Sequence, residues 1–470
     1  MKNWLIRLAF IIPMIWWAYL FFTTQIVVVF DAIGYENLGQ LIAHQGWAEF
    51  LRQGPQREPM FPWLVSLSMQ MGDWWKIEYF YPLKLIGILF LFLTMIFVYR
   101  LLKMLAVRPS VAALVILYIG ISPVMTNSSM RLWSEFAAYP WVVLAVIWTI
   151  KSWKLLENLS GEGQNYARVI GHAFMVALMF ILIMSVKAVA EGVLILYLWP
   201  FYLRIIAHWR SGRFVQARQV AKFCLVVLIV FEGVVCAYRA CNYYANGHFA
   251  FTNRGDWAFY GNTVRRMEPL TPRRLGAAIA FVPGMGICPA IYGTDDCDFW
   301  SARYSDDLIA QKQNELAAQG ITGNAASKYF TDTSIKMILS NPLQEILLMI
   351  VEAHKMFIWE SSIAFVAYPD WIENILYSPW CTNILKLILA ALCWSACAFA
   401  FGFLCYRSLA SHRKSDEQGQ VIFWILNFIF WYMAMYSLFF ILDRYSFPIV
   451  SLFMVLLAFL LDKMVRLCIR

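Results

Sequence analysis

The feature that most constrains this chain is a series of long apolar runs that recurs from end to end. A run of about 20 apolar residues can cross a bilayer as a helix, which satisfies its own backbone hydrogen bonds in lipid. Hydrophobic residues make up 61% of the 470 positions and charged residues only 14%, which excludes a soluble globular domain. We therefore predict an all-α polytopic membrane protein. Its transmembrane helices, about ten in number, are expected near 5–30, 81–99, 110–126, 136–150, 170–186, 192–207, 221–240, 382–406, 421–441 and 447–465.

The basic residues of the chain collect in short loops between these runs. They are Arg100, Lys103 and Arg108; Lys151, Lys154 and Arg168; Arg204, Arg210, Arg213, Arg218 and Lys222; and Arg407, Arg413 and Lys414. Lys and Arg in short loops mark the cytoplasmic side of a membrane protein. The net charge of +9 is therefore explained by orientation and by contact with anionic lipid, not by nucleic acid. The N-terminus is placed inside, and the first run is interpreted as a retained span.

Two long polar segments fall on the opposite side. The first outer loop, 31–79, is predicted to contain an amphipathic interfacial helix, because its apolar residues recur at helical spacing. The later region is too long for a passive loop, and helical stretches are expected near 302–319, 325–340 and 342–360. We divide the chain into an N-terminal transmembrane module with a catalytic first outer loop (1–240), an extracytoplasmic or interfacial region (241–380) and C-terminal transmembrane helices (381–470).

Two features of the region 241–380 leave alternatives open. Cys288 and Cys297 would form a short-loop disulfide in an oxidising compartment, and a metal pair is the alternative. The basic run TVRRMEPLTPRRLG is expected to be a solvated or lipid-contacting face. Its alternative role is recognition of an anionic acceptor or a diphosphate.

Ionisable side chains also gather where the apolar runs end on the outer side. They are Asp31, Arg57, Glu58, Arg131, Glu135, Lys187, Glu191, Asp443 and Arg444. Such groups are costly at membrane depth unless they pair or face a hydrated cavity. A lipid-linked phosphate needs Arg or Lys at head-group level, and an attacking hydroxyl needs a carboxylate to take its proton. We predict that Asp31 is the base, and that the phosphate is bound by Arg57, Arg131, Lys187 and Arg444.

Several of these residues also have a purely structural interpretation. Asp31 would serve as an N-cap for the helix that follows it. Glu135 would suit the positive end of the next helix, as would Glu191, to which no chemistry is assigned. Arg131 and Lys187 would snorkel to lipid head groups.

Three ordered motifs resemble membrane glycosyltransferases of the GT-C fold class, in the branch of protein O-mannosyltransferases and aminoarabinose transferases. The first outer loop, DAIGYENLGQLIAHQGWAEFLRQGPQREPMFPW, has the acid, tyrosine and Arg/Pro/aromatic/Pro pattern of that family at Asp31, Tyr35, Arg57, Pro59, Phe61 and Pro62. SMRLWSEFAAYPW resembles the second outer loop of the family, and DRYSFP the start of a late span. The order of the motifs matches across nearly the whole chain, except in the region 241–380.

The resemblance implies a polyprenyl-phosphate sugar donor, with Asp31 as the catalytic carboxylate. It implies substrate contacts from Tyr35 and Tyr445. Some relatives have two adjacent acids, whereas Ala32 follows Asp31 here, so Glu58 and Glu135 are the candidates for a second acid. Some relatives bind a divalent metal; no metal ligand is assigned in this sequence, and a role for such a metal stays open.

The predicted function is therefore transfer of a sugar from a polyprenyl-phosphate donor to a hydroxyl of a lipid, glycan or protein acceptor. The expected location is a bacterial inner membrane, with the active site facing the periplasm. One alternative is a polymerase or ligase that uses a diphosphate-linked lipid glycan, with extra phosphate contacts from Arg265 to Arg274. A second is a non-enzymatic lipid-sugar flippase, which should carry charged or broken helices near mid-bilayer.

Overall fold

The computed structural model describes residues 2–54, 56–158, 166–252, 255–282, 285–358, 366–378, 384–410, 417–439 and 441–468. Two short strands, β1 (Gln25–Ile26) and β2 (Val366–Ala367), pair in antiparallel register. Single 3₁₀ turns lie at Glu135–Ala138, His354–Phe357 and Asp443–Ser446. The α-helices in the described ranges are α1 (Lys2–Thr23), α2 (Asp31–Arg52), α3 (Met60–Trp75), α4 (Phe80–Met104), α5 (Pro109–Ile121), α6 (Pro123–Ser129), α7 (Tyr139–Glu157), α8 (Tyr166–Met184), α9 (Ala190–Tyr197), α10 (Trp199–Arg210), α11 (Phe214–Asn246), α12 (Gly255–Met267), α13 (Pro272–Ala280), α14 (Ile287–Tyr292), α15 (Thr294–Asp298), α16 (Ala302–Ala318), α17 (Gly323–Ser340), α18 (Pro342–Ala353), α19 (Asp370–Leu376), α20 (Lys386–Ala410), α21 (Glu417–Ser437) and α22 (Phe447–Cys468).

Helices long and apolar enough to cross a bilayer recur along the described chain. Nine segments meet this condition singly, and α5 with α6 meet it together across a 48° bend. These segments correspond to the ten predicted runs, so the prediction of an all-α polytopic membrane protein is confirmed. A second pair, α17 with α18, also qualifies by composition but bends by 101° at Asn341 and Pro342.

The first transmembrane helix is shorter than predicted, because it ends at Thr23 and not at Phe30. The buried Lys84 of α4 donates from Nζ to the carbonyl oxygens of Phe21, at 3.1 Å, and Thr24, at 2.6 Å. These bonds satisfy acceptors that a continuing helix would have used. The β-branched run that follows starts as β1 and pairs with β2, so the chain is turned before Asp31.

The first outer loop consists of two helices, α2 and α3, which pack against each other. Leu38, Leu41 and Ile42, three of the apolar residues that predicted this helix, are buried in a small separate cluster with Phe50, whereas Ala48 is exposed. The predicted helix is therefore present, and its apolar face is covered by the same loop.

Opposite charges are buried inside the region that precedes the last spans. Arg265 and Arg266 of α12 are almost fully buried and donate to Glu352 of α18. Arg266 also donates to Glu345 at 2.6 Å, and Lys355 donates to Glu352 at 3.0 Å. The expectation of a solvated basic face is therefore wrong for Arg265 and Arg266, because their side chains point into the interior of this region, where they pair with carboxylates of α18.

A disulfide joins Cys288 and Cys297 in the same region. Both half-cystines are buried in a cluster with Trp300 and Leu348. The alternative of a metal pair is thereby removed. A disulfide is expected on the oxidising side of a membrane, which agrees with the orientation given by the basic loops.

Candidate active site

Asp31 is the first residue of α2, and its side chain connects the first outer loop with the start of the last span through Arg444. Phe30, with a φ of 51°, holds the N-cap position, so the interpretation of Asp31 as the cap residue is wrong. The Asp31 carboxylate instead accepts hydrogen bonds from two guanidiniums. Oδ1 accepts from Arg57, and Oδ2 accepts from Nη2 of Arg444 at 2.6 Å. Residues that are far apart in sequence therefore meet at a single carboxylate.

Arg57 is positioned by Tyr35, which lies one turn after Asp31 on α2. The Arg57 guanidinium carbon is 4.6 Å from the centroid of the Tyr35 ring. That ring is only 5% exposed, packs edge-on against Phe61, and donates its hydroxyl to Oγ of Ser134 at 3.1 Å. Tyr35 therefore supports Arg57, and its predicted contact with substrate stays a prediction.

A second buried ion pair lies beside the first. Glu135, in the 3₁₀ turn before α7, accepts from Nζ of Lys187 at 2.8 Å. The Arg444 Nε atom is 4.0 Å from the same Glu135 oxygen. Arg444 thus contacts both carboxylates and links the two pairs into one cluster.

Arg131 lies beside this cluster, next to Trp133. Its guanidinium carbon is 3.3 Å from the centroid of the Trp133 ring, and the Arg444 guanidinium carbon is 4.9 Å from that ring. Arg131 is fully buried. It therefore acts on the cluster through its charge and through the shared indole, and it does not present its guanidinium to the surface.

Glu58 and Tyr445 help to position Lys187, the first through a backbone hydrogen bond at Ala188 and the second through its ring. The Glu58 carboxylate accepts from the backbone N–H of Ala188 at 3.2 Å, which fixes the link between α8 and α9. The Tyr445 ring centroid is 5.7 Å from Lys187 Nζ and stacks on Tyr436 with the centroids 4.9 Å apart. All nine residues predicted for the site are therefore near one another, at the end of the bundle opposite the basic loops.

The ion pairs set the protonation of this cluster. Burial alone would raise the pKa of the Asp31 carboxyl, but the Arg444 and Arg57 guanidiniums outweigh burial and hold that pKa well below its usual range. Burial opposes the charge of Lys187, yet Glu135 raises the pKa of its ammonium above the usual value. Asp31 and Lys187 are therefore both charged at neutral pH.

The cluster brings four cationic side chains, Arg57, Arg131, Lys187 and Arg444, close to the carboxylates of Asp31, Glu58 and Glu135. Guanidinium and ammonium groups that are placed together in this way are suited to bind an anion such as a phosphodiester.

The carboxylates differ in their access to a ligand. The Asp31 side chain is 26% exposed, whereas that of Glu135 is 4% exposed. Asp31 is thus the better placed of the two to meet a reacting hydroxyl, and Glu135 is placed to hold Lys187 and Arg444. Within the described part of the chain, no group of three or more His, Cys, Asp and Glu side chains is arranged to hold a metal ion.

Two functional neighbours were not assigned from the sequence. Trp133 separates two cationic side chains, and Ser134 receives the Tyr35 hydroxyl. The motif RLWSE contained a usable signal for Trp133, since arginine often stacks on indole. The partner of Tyr35 had no comparable signal, because it depends on how α2 packs against the 3₁₀ turn.

No protein-family model and no curated protein matches the sequence. Two solved structures of an archaeal oligosaccharyltransferase from Archaeoglobus fulgidus resemble the chain at a low level. One is AglB in complex with an inhibitory peptide and a dolichol-phosphate, at 14% identity and a TM-score of 0.46; the other is the apo form, at 13% and 0.46. Each similarity covers 98% of this chain and 50% of the archaeal chain, so this chain spans about half of that length. A likeness of this size carries no weight in assigning function.

Proposed function

We propose that the protein is a membrane glycosyltransferase of the GT-C type. It would take a sugar from a polyprenyl-phosphate donor and transfer it to a hydroxyl of a lipid, glycan or protein acceptor on the extracytoplasmic face. In a bacterium this face is the periplasmic side of the inner membrane. The observation that carries the proposal is the Asp31 carboxylate between Arg57 and Arg444, beside the pair of Lys187 and Glu135.

The donor phosphate would compete with Asp31 for the two guanidiniums. Both arginines offer planar donors that suit a phosphate as well as a carboxylate. A phosphate bound there would loosen the grip on Asp31 and return the pKa of its carboxyl toward the usual range. Donor binding would thus convert Asp31 from an ion-pair partner into a base.

The transfer step then follows from the placement of these groups. The acceptor oxygen attacks the anomeric carbon, the bond from that carbon to the phosphate oxygen breaks, and the hydroxyl proton passes to Asp31. Polyprenyl phosphate leaves with the electron pair, and its charge is held by Arg57 and Arg444. Attack from the side opposite the phosphate gives inversion. Lys187 and Arg131 add positive potential, and Glu135 and Glu58 hold the cations in place.

The rival function of a diphosphate-dependent polymerase or ligase has less support. Arg265 and Arg266, which would supply part of its extra phosphate contacts, have fully buried side chains that pair with Glu352 and are therefore not accessible to a phosphate. The flippase alternative has less support as well, since the ion pairs of the site gather at one end of the bundle.

Binding of polyprenyl monophosphate, the expected product, tests the proposal without knowledge of the sugar. We expect the Arg57→Gln and Arg444→Gln variants, in nanodiscs, to bind the radiolabelled lipid about 10- to 100-fold more weakly, as loss of a charged hydrogen bond of roughly 1.5–3 kcal/mol implies. Arg274→Gln, which removes a partly exposed ion pair elsewhere on the outer side, should bind like the wild type. Unchanged affinity in both site variants, or tighter binding of the diphosphate than of the monophosphate by the wild type, would count against the proposal.

A further inference from the structure

A second feature lies on the first outer loop, next to Asp31. The face of α2 and the chain that follows it enclose a groove of about 440 Å³, within the range of roughly 300–1,000 Å³ typical of small-molecule sites. The residues that line it are Gly34, Asn37, Leu38, Gln40, Leu41, His44, Gln45, Gln53 and Gln56. The mechanism above uses none of these side chains.

The chemistry of the groove differs sharply from that of the ion-pair cluster. Its lining has five side-chain amides and one imidazole, and it contains neither a carboxylate nor a lysine or arginine. The polar residues are exposed, whereas Leu38 and Leu41 form a buried apolar floor. An amide donates and accepts hydrogen bonds at once, and so does a sugar hydroxyl. A groove for an anionic or cationic ligand would be expected to carry the opposite charge.

Gly34, which lines the groove, lies beside the ion pair of the reacting carboxylate. Gly34 follows Asp31 by three residues, so the two lie on one face of α2. A β-carbon added at Gly34 would be 4.0 Å from Nη2 of Arg57, the atom that binds Asp31. Because Gly34 has no side chain, nothing from this position stands between the groove and the ion pairs. A ligand in the groove could therefore extend a hydroxyl to Asp31.

Two glycines give the groove its second wall. Gly46 has a φ of 83° and interrupts the helical conformation of α2, and Gly54 has a φ of 92° just before Gln56. Residues other than glycine are strained in this conformation. These bends return the chain toward α2 and place Gln53 and Gln56 opposite the amides of the helix.

We propose that this groove is the acceptor subsite and that the acceptor is an uncharged saccharide. This inference rests on the proposed function, which it narrows from a lipid, glycan or protein hydroxyl to a neutral sugar hydroxyl. The amides of the groove form hydrogen bonds with the acceptor hydroxyls, and the apolar floor packs on a sugar ring. The reacting hydroxyl points past Gly34 to Asp31.

Saccharide binding can be measured without any transfer. Purified full-length protein in nanodiscs would be studied by saturation-transfer NMR, with neutral gluco-, manno- and galacto-configured trisaccharides and the matching uronic acids. We expect the wild type to bind at least one neutral trisaccharide in preference to its uronic acid. Gln45→Met with Gln53→Met, which keeps side-chain length but removes two amides, should weaken that binding at least 10-fold. Gln313→Met, at an exposed position of α16, is the matched control and should bind normally.

Three results would overturn the assignment: no binding of any neutral trisaccharide at millimolar concentration, preference for the uronic acids, or unchanged binding by the Gln45 and Gln53 double variant. A double variant that instead impaired donor hydrolysis, with acceptor binding intact, would assign the groove to the donor sugar and contradict the acceptor subsite. Failure of the proposed function would give a different result. Polyprenyl monophosphate would then not bind through Arg57 and Arg444, whereas saccharide binding would be unaffected.

Discussion

The exposure of each acidic side chain separates the base from the residues that hold it in place. Asp31 combines partial exposure with two guanidinium partners, whereas Glu135 is buried against Lys187 and close to Arg444. The sequence predicted which residues would gather, because each follows or precedes an apolar run on the same side. It could not predict which residues form ion pairs, because the two residues of each pair come from separate elements whose packing is not visible in the local sequence. The packing of Arg57 on the ring of Tyr35 was therefore not predicted.

The buried pair of Lys187 and Glu135 gives a prediction about stability. Lys187→Met leaves a buried carboxylate with one cation fewer, and breaking such a pair costs about 3–5 kcal/mol. The double variant Lys187→Met with Glu135→Gln removes both charges, so we expect it to recover much of that loss. Thermal unfolding in detergent measures both.

Lys312→Met is the control for this pair. Lys312 forms a largely solvated pair with Glu315 on α16, and such surface pairs contribute about 0–1 kcal/mol. A double variant that unfolds as easily as the single Lys187 variant would show that the two side chains do not depend on each other.

At the scale of elements, the site depends on how closely two helices approach. Gly87 of α4 faces the carbonyl oxygen of Ser129 at the end of α6, and a β-carbon at position 87 would be only 1.6 Å from that oxygen. The chain after Ser129 carries Arg131, Trp133 and Glu135. Apolar periodicity predicts that α4 spans the membrane, but it cannot show which glycine is in backbone contact. The same limit explains the early end of α1, which depends on Lys84 from another helix.

We expect Gly87→Ala to lower the stability by about 1–3 kcal/mol, as overpacking does, and to reduce transfer because it displaces the turn that carries Glu135. Gly171→Ala in α8 is the matched control, since a β-carbon there meets nothing within 4 Å. Thermal unfolding and transfer assays on both variants test this. Equal behaviour of the two alanine variants would mean that the close approach does not position the site.

For the whole molecule, the basic loops and the ion-pair cluster lie at opposite ends of the helical bundle. The transmembrane helices of the described chain could be predicted from the sequence, because hydropathy acts residue by residue, and their orientation stays a prediction from the charge of the loops. The interior of the region 241–380 could not be predicted from the sequence, because the buried pairs of Arg265 and Arg266 with Glu352 require two distant helices to meet.

This arrangement predicts which positions are accessible from outside the cell. A membrane-impermeant maleimide applied to intact cells should label Gln313→Cys, in α16, above the level of the parent chain. It should label Arg210→Cys, at the end of α10 that leads into a basic loop, only after the membrane is permeabilised. The reverse pattern, read by gel shift, would place the cluster on the cytoplasmic side and contradict the assigned orientation.

The most direct test of the central claim separates donor binding from transfer in the Asp31→Asn variant. Asparagine keeps the shape of the side chain but cannot take a proton, and it releases Arg57 and Arg444 for the phosphate. We predict that purified, folded Asp31→Asn protein binds polyprenyl monophosphate as tightly as the wild type or more tightly. Transfer of radiolabelled sugar from a panel of polyprenyl-phosphate sugars should fall by about 10²- to 10⁴-fold, the usual contribution of a general base. Transfer at the wild-type rate by a folded variant would show that Asp31 is not the base.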